Sequence, residues 1–239
     1  VALLAITLTP LLAGMKLSDA LSGYADTTVW LVQAAFFISR ALIDTGLARR
    51  IALGFVRMFG TSTLGVTYAL SMSDMVLASI IPSNGARSGG VILPIARSIA
   101  ELYGSTPGAT SRRMGAFLMV GVYQCICVTA AMFYTGQASN PLAAQMAGTF
   151  GYKVTWAGWL VAGIVPGLVS LALVPWVVMK LYPPEVIRTP EAAEFARAEL
   201  GKMGPMSSQE KILLVVFVGV CGAWVSSSWT GIDITVAAL

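Results

Sequence analysis

The stretch Ser79-Ile-Ile-Pro-Ser-Asn-Gly-Ala-Arg-Ser-Gly-Gly90 places glycines, hydroxyls, an amide and an arginine in the middle of an otherwise apolar region. Apolar pieces too short to span a bilayer alone flank it at residues 64–81 and 91–100. Lipid cannot hydrogen-bond irregular backbone, which is therefore tolerated only where protein buries it or a cavity holds water. The pattern predicts a re-entrant hairpin over residues 62–100, with its tip near the middle of a membrane and both ends on one side.

The composition of the whole chain is typical of a membrane protein. Of 239 residues, 56% are hydrophobic and 11% are charged, whereas soluble domains carry roughly 25% charged residues. The runs 114–134, 154–179 and 212–232 carry no charge, and each reaches the roughly 20 residues that a spanning helix needs. Residues 28–46 form a fourth candidate span, in which Arg40 and Asp44 lie four apart and can pair on one helix face.

Both ends of the chain lie inside apolar runs, at residues 1–15 and 234–239. The first run lacks an initiator methionine and the basic leader of a secretory signal peptide. We therefore expect a fragment that is cut within membrane segments at both ends.

Residues 47–59 predict an amphipathic helix that lies flat at the membrane surface. Ile51, Phe55 and Met58 form an apolar stripe, and Ala52, Val56 and Phe59 extend it. Arg50 and Arg57 share the opposite face, an arrangement that suits the lipid headgroups. An ordinary connector helix on the cytoplasmic side is the alternative interpretation.

Residues 181–210 form the only long polar segment, with five acidic residues and four prolines, and they predict a solvated linker between two membrane parts. Near the span ends, ten basic residues lie on the side of this linker, and only Lys16 and Lys153 lie on the other side. Because basic residues accumulate in cytoplasmic loops, we expect the linker in the cytoplasm.

The residue types that most enzymes and metal sites use are either absent from the chain or lie inside its apolar runs. The chain has no histidine, and its three cysteines lie inside apolar runs. These facts exclude histidine-based acid–base catalysis and argue against a zinc site or a disulfide framework. The net charge of +4 comes from residues at the ends of apolar runs, so we expect no nucleic-acid partner and no metal.

The polar centre of the hairpin suits an ion or a carboxylate. Ser and Asn side chains can coordinate a cation or donate to an anion, and glycines let backbone approach a ligand closely. The second arm begins there, and the start of a helix favours negative charge. The alternative is a polar break that only hydrogen-bonds to neighbouring helices.

Residues 81–95 closely resemble the first Ser-Asn-Thr hairpin of the divalent anion/sodium symporter family. The resemblance is strongest to its branch of 2-oxoglutarate/malate translocators and citrate/succinate exchangers. It covers most of the chain in the right order, because further segments also match: Thr28-Val-Trp-Leu31, Phe36-Phe-Ile-Ser-Arg-Ala41, Thr45-Gly-Leu-Ala-Arg-Arg-Ile51, Thr63-Leu-Gly65 and Thr135-Gly-Gln-Ala-Ser-Asn-Pro-Leu142.

The resemblance implies an all-α polytopic membrane protein with an inverted-repeat transporter fold and a re-entrant helical hairpin. Residues 1–180 then form the first repeat, 181–210 the cytoplasmic linker, and 211–239 the truncated start of the second repeat. Inside the first repeat we expect the flat helix at 47–59, the hairpin at 62–100, a broken helix at 114–149 and a span at 154–180.

The resemblance also implies the site. In that family the Ser-Asn-Thr tip binds one substrate carboxylate and contributes to a sodium site. Gly85 replaces the threonine, which removes one hydroxyl ligand. Asn140 has an alternative role as the N-cap of the helix that follows it. The implied substrate-binding residues are Ser83, Asn84, Gly85, Arg87, Asn140 and Pro141, and the cation site of a sodium-coupled protein would use Ser79, Ser83, Asn84 and Gly136.

Arg87 lies at membrane depth, where an ionisable side chain is costly and usually functional. One hypothesis is that it supplies a fixed positive charge where symporters hold sodium, which would favour exchange. The alternative is a salt bridge to Asp74 or Asp44. A proton relay through Asp74 has little support, since it needs more than one isolated carboxylate.

We therefore predict a secondary active transporter of di- or tricarboxylates, such as 2-oxoglutarate, malate, succinate or citrate, that works as an exchanger by alternating access. A sodium-coupled dicarboxylate symporter is the main alternative, and a membrane-embedded enzyme or a channel is a remote one. No cofactor is implied, and sodium enters only as the coupling ion of a symporter. The expected surroundings are the bacterial inner membrane, its lipid bilayer, the carboxylate anion and a second copy in a homodimer.

Overall fold

The structure, a computed structural model, describes residues 1–239 apart from the side chain of Ala2, and the described part is helical without a β-strand. A π-helical turn at Ser88–Ile92 joins two of the helices, and 3₁₀ turns lie at Ser22–Ala25 and Ser111–Arg113. The helices are α1 (Ala2–Ala13), α2 (Leu17–Ala20), α3 (Thr27–Asp44), α4 (Leu47–Phe59), α5 (Thr63–Ala78), α6 (Asn84–Arg87), α7 (Leu93–Leu102), α8 (Gly115–Met132), α9 (Ser139–Thr149), α10 (Trp156–Leu181), α11 (Pro190–Met203), α12 (Ser208–Thr230) and α13 (Ile234–Ala238).

Three helices, α8, α10 and α12, are long and apolar enough to cross a membrane by themselves. Helices α3 and α4 meet the combined requirement of length and apolarity only as a pair, and they are bent by 63° relative to each other. The bend lies at Gly46, whose φ of 83° is in the left-handed region that glycine adopts readily. On α3, Arg40 and Asp44 form the expected pair at 2.7 Å. The chain is therefore a polytopic membrane protein.

Helix α4 buries only part of the apolar stripe that the sequence suggested. The side chains packed inside are Ala48, Ala52 and Val56, with their neighbours Leu47 and Leu53. By contrast, 69% of Met58 is exposed, and Ile51 and Phe55 are only partly buried. Small side chains face inward because α5 and α11 both pack against this helix.

The first arm of the hairpin ends shortly before Pro82. Helix α5 starts at the N-cap Ser62, whose hydroxyl accepts a hydrogen bond from the Gly65 N–H at 3.0 Å, and it stops at Ala78. Pro82 carries no N–H and disfavours helix in the residue before it. The backbone is non-helical until the N-cap Ser83, after which α6, the π turn and α7 follow without interruption.

The two arms return to the same side. At the outer end of α5, the Thr63 N–H donates to the Ile187 carbonyl at 3.0 Å. At the outer end of α7, the Tyr103 hydroxyl donates to Glu191 at 2.5 Å. Ile187 and Glu191 are four residues apart, a reach of at most about 14 Å, whereas the 16 residues of α5 alone extend about 24 Å. The arms therefore fold back on each other as a re-entrant hairpin.

Part of the segment 181–210 is docked on the membrane part, a contact that the sequence did not predict. One face of α11 buries Ala192 and Ala196 and packs on α4. At its far end, both carboxylate oxygens of Glu210 accept from Arg50, at 2.7 and 3.1 Å. At the start of α11, the hydroxyl of Tyr103 contacts Glu191, and burial together with this carboxylate raises the pKa of Tyr103. The linker thus joins α4 to both outer ends of the hairpin.

Candidate functional site

Arg87 lies at the centre of the site and is fully buried. Its Nε donates to Asp74 Oδ1 at 2.9 Å, and Asp74 is also fully buried on α5. The hydroxyl of Thr129, on α8, donates to the other oxygen of the same carboxylate. Asp44 is not the partner, because it pairs with Arg40. Of the two acids that the sequence offered for a salt bridge, the structure selects Asp74.

The remaining guanidinium hydrogens bind backbone and amide oxygens from both helix breaks. Nη1 donates to the carbonyl of Ile81, in the first break, at 2.6 Å and to the carbonyl of Gly136, in the second break, at 2.7 Å. Nη2 donates to Asn84 Oδ1 at 3.3 Å. Carbonyls freed by a broken helix need donors when they are buried. The Arg87 side chain therefore provides a donor for one carbonyl in each break and links the two breaks.

Arg87 also sets the orientation of the neighbouring amide. A guanidinium has donors only, so the oxygen of Asn84 must face it and the amide hydrogens must face the other way. Those hydrogens find no acceptor among the described residues. The Ser83 hydroxyl accepts from the Ala86 N–H at 3.2 Å and keeps its own hydrogen free. Together with the N–H groups of Asn84 and Gly85, the hairpin tip presents a set of donors, as a carboxylate requires.

The second break uses Asn140 for its own support. Both amide hydrogens of this residue are taken, by the Ala130 and Phe133 carbonyls at 2.8 Å each. Its oxygen accepts from Gln137 at 3.1 Å. Asn140 lies inside α9, which begins at Ser139, so the expectation that it is an N-cap is wrong. The structure brings it beside the break but directs its donors to protein carbonyls.

Gly136 has a steric reason to be glycine. An added Cβ there would lie 2.6 Å from the Ala130 carbonyl oxygen, far inside van der Waals contact. The absent side chain lets the backbone turn back on α8 and present the Gly136 carbonyl to Arg87. Pro141 follows in the first turn of α9 and is buried.

Ser79 sits in the first break, and its hydroxyl donates to the Val76 carbonyl of its own helix at 2.7 Å. Its carbonyl accepts from Thr135 at 2.6 Å, and Thr135 in turn accepts from the Trp156 indole N–H at 3.2 Å. Among the other residues expected to hold a cation, the Gly136 carbonyl and the Asn84 oxygen both bind Arg87.

Sequence reasoning missed three residues that shape this site: Thr129, Thr135 and Trp156. The two threonines carried a signal, since each is a hydroxyl inside or beside a long apolar run. Trp156 carried none, because an aromatic residue at the start of a span is ordinary at a membrane interface.

Two interrupted helices that meet at a buried arginine, with donors exposed at a hairpin tip, are the architecture of a secondary transporter. Comparison with known proteins agrees. The family described as "Sodium:sulfate symporter transmembrane region" matches residues 1–239, and the chain belongs to this family.

Curated relatives are similar to this chain over all or nearly all of its length. The putative malate transporter YflS of Bacillus subtilis is 46% identical over the whole of this chain and 50% of its own length. The chloroplastic dicarboxylate transporter 1 of Spinacia oleracea is 41% identical over the whole chain and 42% of its own length. The inner membrane protein YbhI of Escherichia coli is 40% identical over 94% of the chain and 47% of its own length. The chain therefore spans about half the length of these relatives.

Proposed function

We propose that the protein carries di- or tricarboxylate anions across the bacterial inner membrane by alternating access. The observation that carries the proposal is the hairpin tip, which presents several donors without a protein acceptor: the Ser83 hydroxyl, the Asn84 amide and two backbone N–H groups. Hydrogen bonds to a charged partner contribute about 1.5–3 kcal/mol each. Relatives named as malate and dicarboxylate transporters support this class of anion.

We further propose that the transport is an exchange. Arg87 binds two carbonyls, an amide oxygen and a carboxylate, and these oxygens are the kind of ligand that a sodium ion takes in transporters. The guanidinium, which is fixed to the chain, occupies these four oxygens in place of sodium. The hypothesis that Arg87 acts as a fixed positive charge needs revision, because Asp74 at 2.9 Å largely cancels that charge.

Exchange across a proteoliposome membrane tests the proposal. With the full-length protein, labelled malate should enter only vesicles preloaded with unlabelled dicarboxylate, and replacing sodium by choline should leave the rate unchanged. Vesicles loaded with chloride serve as the matched control. Sodium-dependent uptake into vesicles without internal dicarboxylate would contradict exchange and favour symport.

The orientation of the linker is a separate proposal, and it rests on the ten-to-two distribution of basic residues. Ala198 lies on the exposed face of α11, and Tyr152 is 71% exposed between α9 and α10. In a variant whose native cysteines are replaced, Ala198→Cys should react with an impermeant thiol reagent only after the membrane is permeabilised. Tyr152→Cys should react from outside in intact cells. The reverse pattern would invert the topology.

A further inference from the structure

Trp156, the first residue of α10, is only 3% exposed, although a tryptophan at the start of a span commonly lies at the membrane surface. Trp176 and Trp229 are at least half exposed and fit such a surface role. The ring of Trp156 packs instead against those of Phe133 and Trp224, with centroid distances of 6.3 and 6.0 Å. Anchoring at the lipid headgroups therefore does not account for this residue.

The indole of Trp156 fixes the hydroxyl of Thr135. Its N–H donates to the Thr135 oxygen at 3.2 Å, and the Thr135 hydroxyl donates to the Ser79 carbonyl at 2.6 Å. An indole is a donor only, whereas a hydroxyl has one hydrogen and two acceptor lone pairs. Trp156 therefore occupies a lone pair of Thr135 and directs the hydroxyl hydrogen towards Ser79. Thr135 is itself buried, so water has little access to replace either partner.

These two hydrogen bonds join the two helix breaks independently of Arg87. Ser79 follows the last residue of α5, where the first break begins, and Thr135 lies in the second break. The first break is therefore held at two carbonyls, that of Ile81 by Arg87 and that of Ser79 by Thr135. The N-cap Ser83 ends the same break four residues after Ser79. A displacement of Ser79 would thus move the donors of the hairpin tip.

We propose that Trp156 is a positioning residue for the substrate. By orienting the Thr135 hydroxyl, it holds the start of the first break, and thereby keeps the donors of Ser83 and Asn84 where a carboxylate requires them. A binding site keeps its geometry to within about 0.5 Å only when neighbouring packing and hydrogen bonds lock it. The inference rests on the proposed function, because it assumes that the carboxylate binds at the hairpin tip.

The KM for malate tests the proposal in exchange assays with the full-length protein. Trp156→Phe keeps an aromatic ring beside Phe133 and Trp224 but removes the N–H. It is expected to raise the KM about fivefold, the effect of losing one neutral hydrogen bond. The maximal rate should change little, as expected when only binding is weakened.

Trp159 provides the matched control on the same helix. Its indole N–H donates to the Ala131 carbonyl of α8 at 2.9 Å, and its ring packs edge-on against Tyr134 at 5.8 Å. This hydrogen bond does not reach the first break. Trp159→Phe should therefore lower the thermal midpoint in detergent but leave the KM for malate as in the wild type.

Variants of Thr135 test the same link with the aromatic rings intact. Thr135→Val removes the hydroxyl and both of its hydrogen bonds, so the KM should rise more than in Trp156→Phe. Thr135→Ser keeps a hydroxyl and should have a KM near that of the wild type. Because Trp156 acts through Thr135, adding Trp156→Phe to Thr135→Val should raise the KM no further.

A lower thermal midpoint with an unchanged KM in both Trp156→Phe and Thr135→Val would reduce the link to a structural support. The positioning role would also be overturned by the same KM shift in Trp159→Phe, or by effects of the two substitutions that multiply in the double variant. The proposed function fails separately, and takes this inference with it, if the wild type exchanges neither malate nor another dicarboxylate.

Discussion

Arg87→Ala is expected to abolish exchange and to lower the free energy of unfolding by about 3–5 kcal/mol, the usual cost of breaking a buried ion pair. The loss has two origins. Asp74 would be left as a buried charge without its partner, and the carbonyls of Ile81 and Gly136 would lose their shared donor. Arg87→Lys should keep part of the exchange, because an ammonium can satisfy Asp74 but cannot reach every acceptor of the fork.

A double variant separates stability from transport. In Arg87→Met combined with Asp74→Leu, no buried charge remains, and replacing a buried pair by apolar residues is often neutral or stabilising. We therefore expect the thermal midpoint in detergent to recover relative to Arg87→Ala, while exchange stays absent because the two breaks and Asn84 remain without their donor. Recovery of exchange in the double variant would show that Arg87 serves only to neutralise Asp74.

The surface pair Arg40 and Asp44 supplies the control for this experiment. It is also an arginine–aspartate pair, but its side chains are 76% and 52% exposed. Exposed pairs are worth about 0–1 kcal/mol. Arg40→Ala should therefore change the thermal midpoint little and leave exchange intact.

The sequence predicted those features of the fold that depend on local pattern. The three uncharged runs correspond to α8, α10 and α12. Length and apolarity are properties of each run itself, so a spanning helix can be predicted without knowing what packs against it. The hairpin break was also predictable, since Pro82 and the nearby glycines disfavour a helix at their own positions. The pair of Arg40 and Asp44 followed from helix spacing alone.

The sequence did not settle contacts that depend on the tertiary fold. Whether Arg87 pairs with Asp74 or Asp44 is decided by how the second arm returns across α5, and no local rule contains that geometry. The contact of Arg50 with Glu210 joins residues 160 apart. It docks the end of the linker on α4, a contact that no local pattern predicts.

The role of Asn140 shows the same limit at a single residue. Its place after the break at Gly136 predicted a ligand or an N-cap, because both need only a polar side chain at the start of a helix. Its actual role is set by the carbonyls of Phe133 and Ala130, 7 and 10 residues earlier at the end of α8. Their positions depend on the turn that Gly136 permits.

Asn140→Asp is expected to be more damaging than Asn140→Ala, and this order distinguishes a structural amide from a cation ligand. Alanine would leave the Ala130 and Phe133 carbonyls without donors. Each unsatisfied buried group costs about 1–3 kcal/mol, so the loss should be on the order of 2–6 kcal/mol. Aspartate would in addition point a carboxylate oxygen at those carbonyls inside a 5% exposed position, which adds charge burial and repulsion.

Thermal unfolding in detergent and exchange kinetics, measured together, test this order. Both variants should have a lower thermal midpoint than the wild type, and that of Asn140→Asp should be the lower of the two. Any folded fraction should keep a KM for malate near that of the wild type, because the amide of Asn140 donates to protein carbonyls and not to the substrate. Gln137→Ala is the control, since it removes only the 3.1 Å bond to the Asn140 oxygen and should cost about 1 kcal/mol. A cation ligand would behave in the opposite way, because a carboxylate binds a cation more strongly than an amide does. Aspartate that is tolerated better than alanine, and that makes transport respond to sodium, would therefore place a cation at the second break.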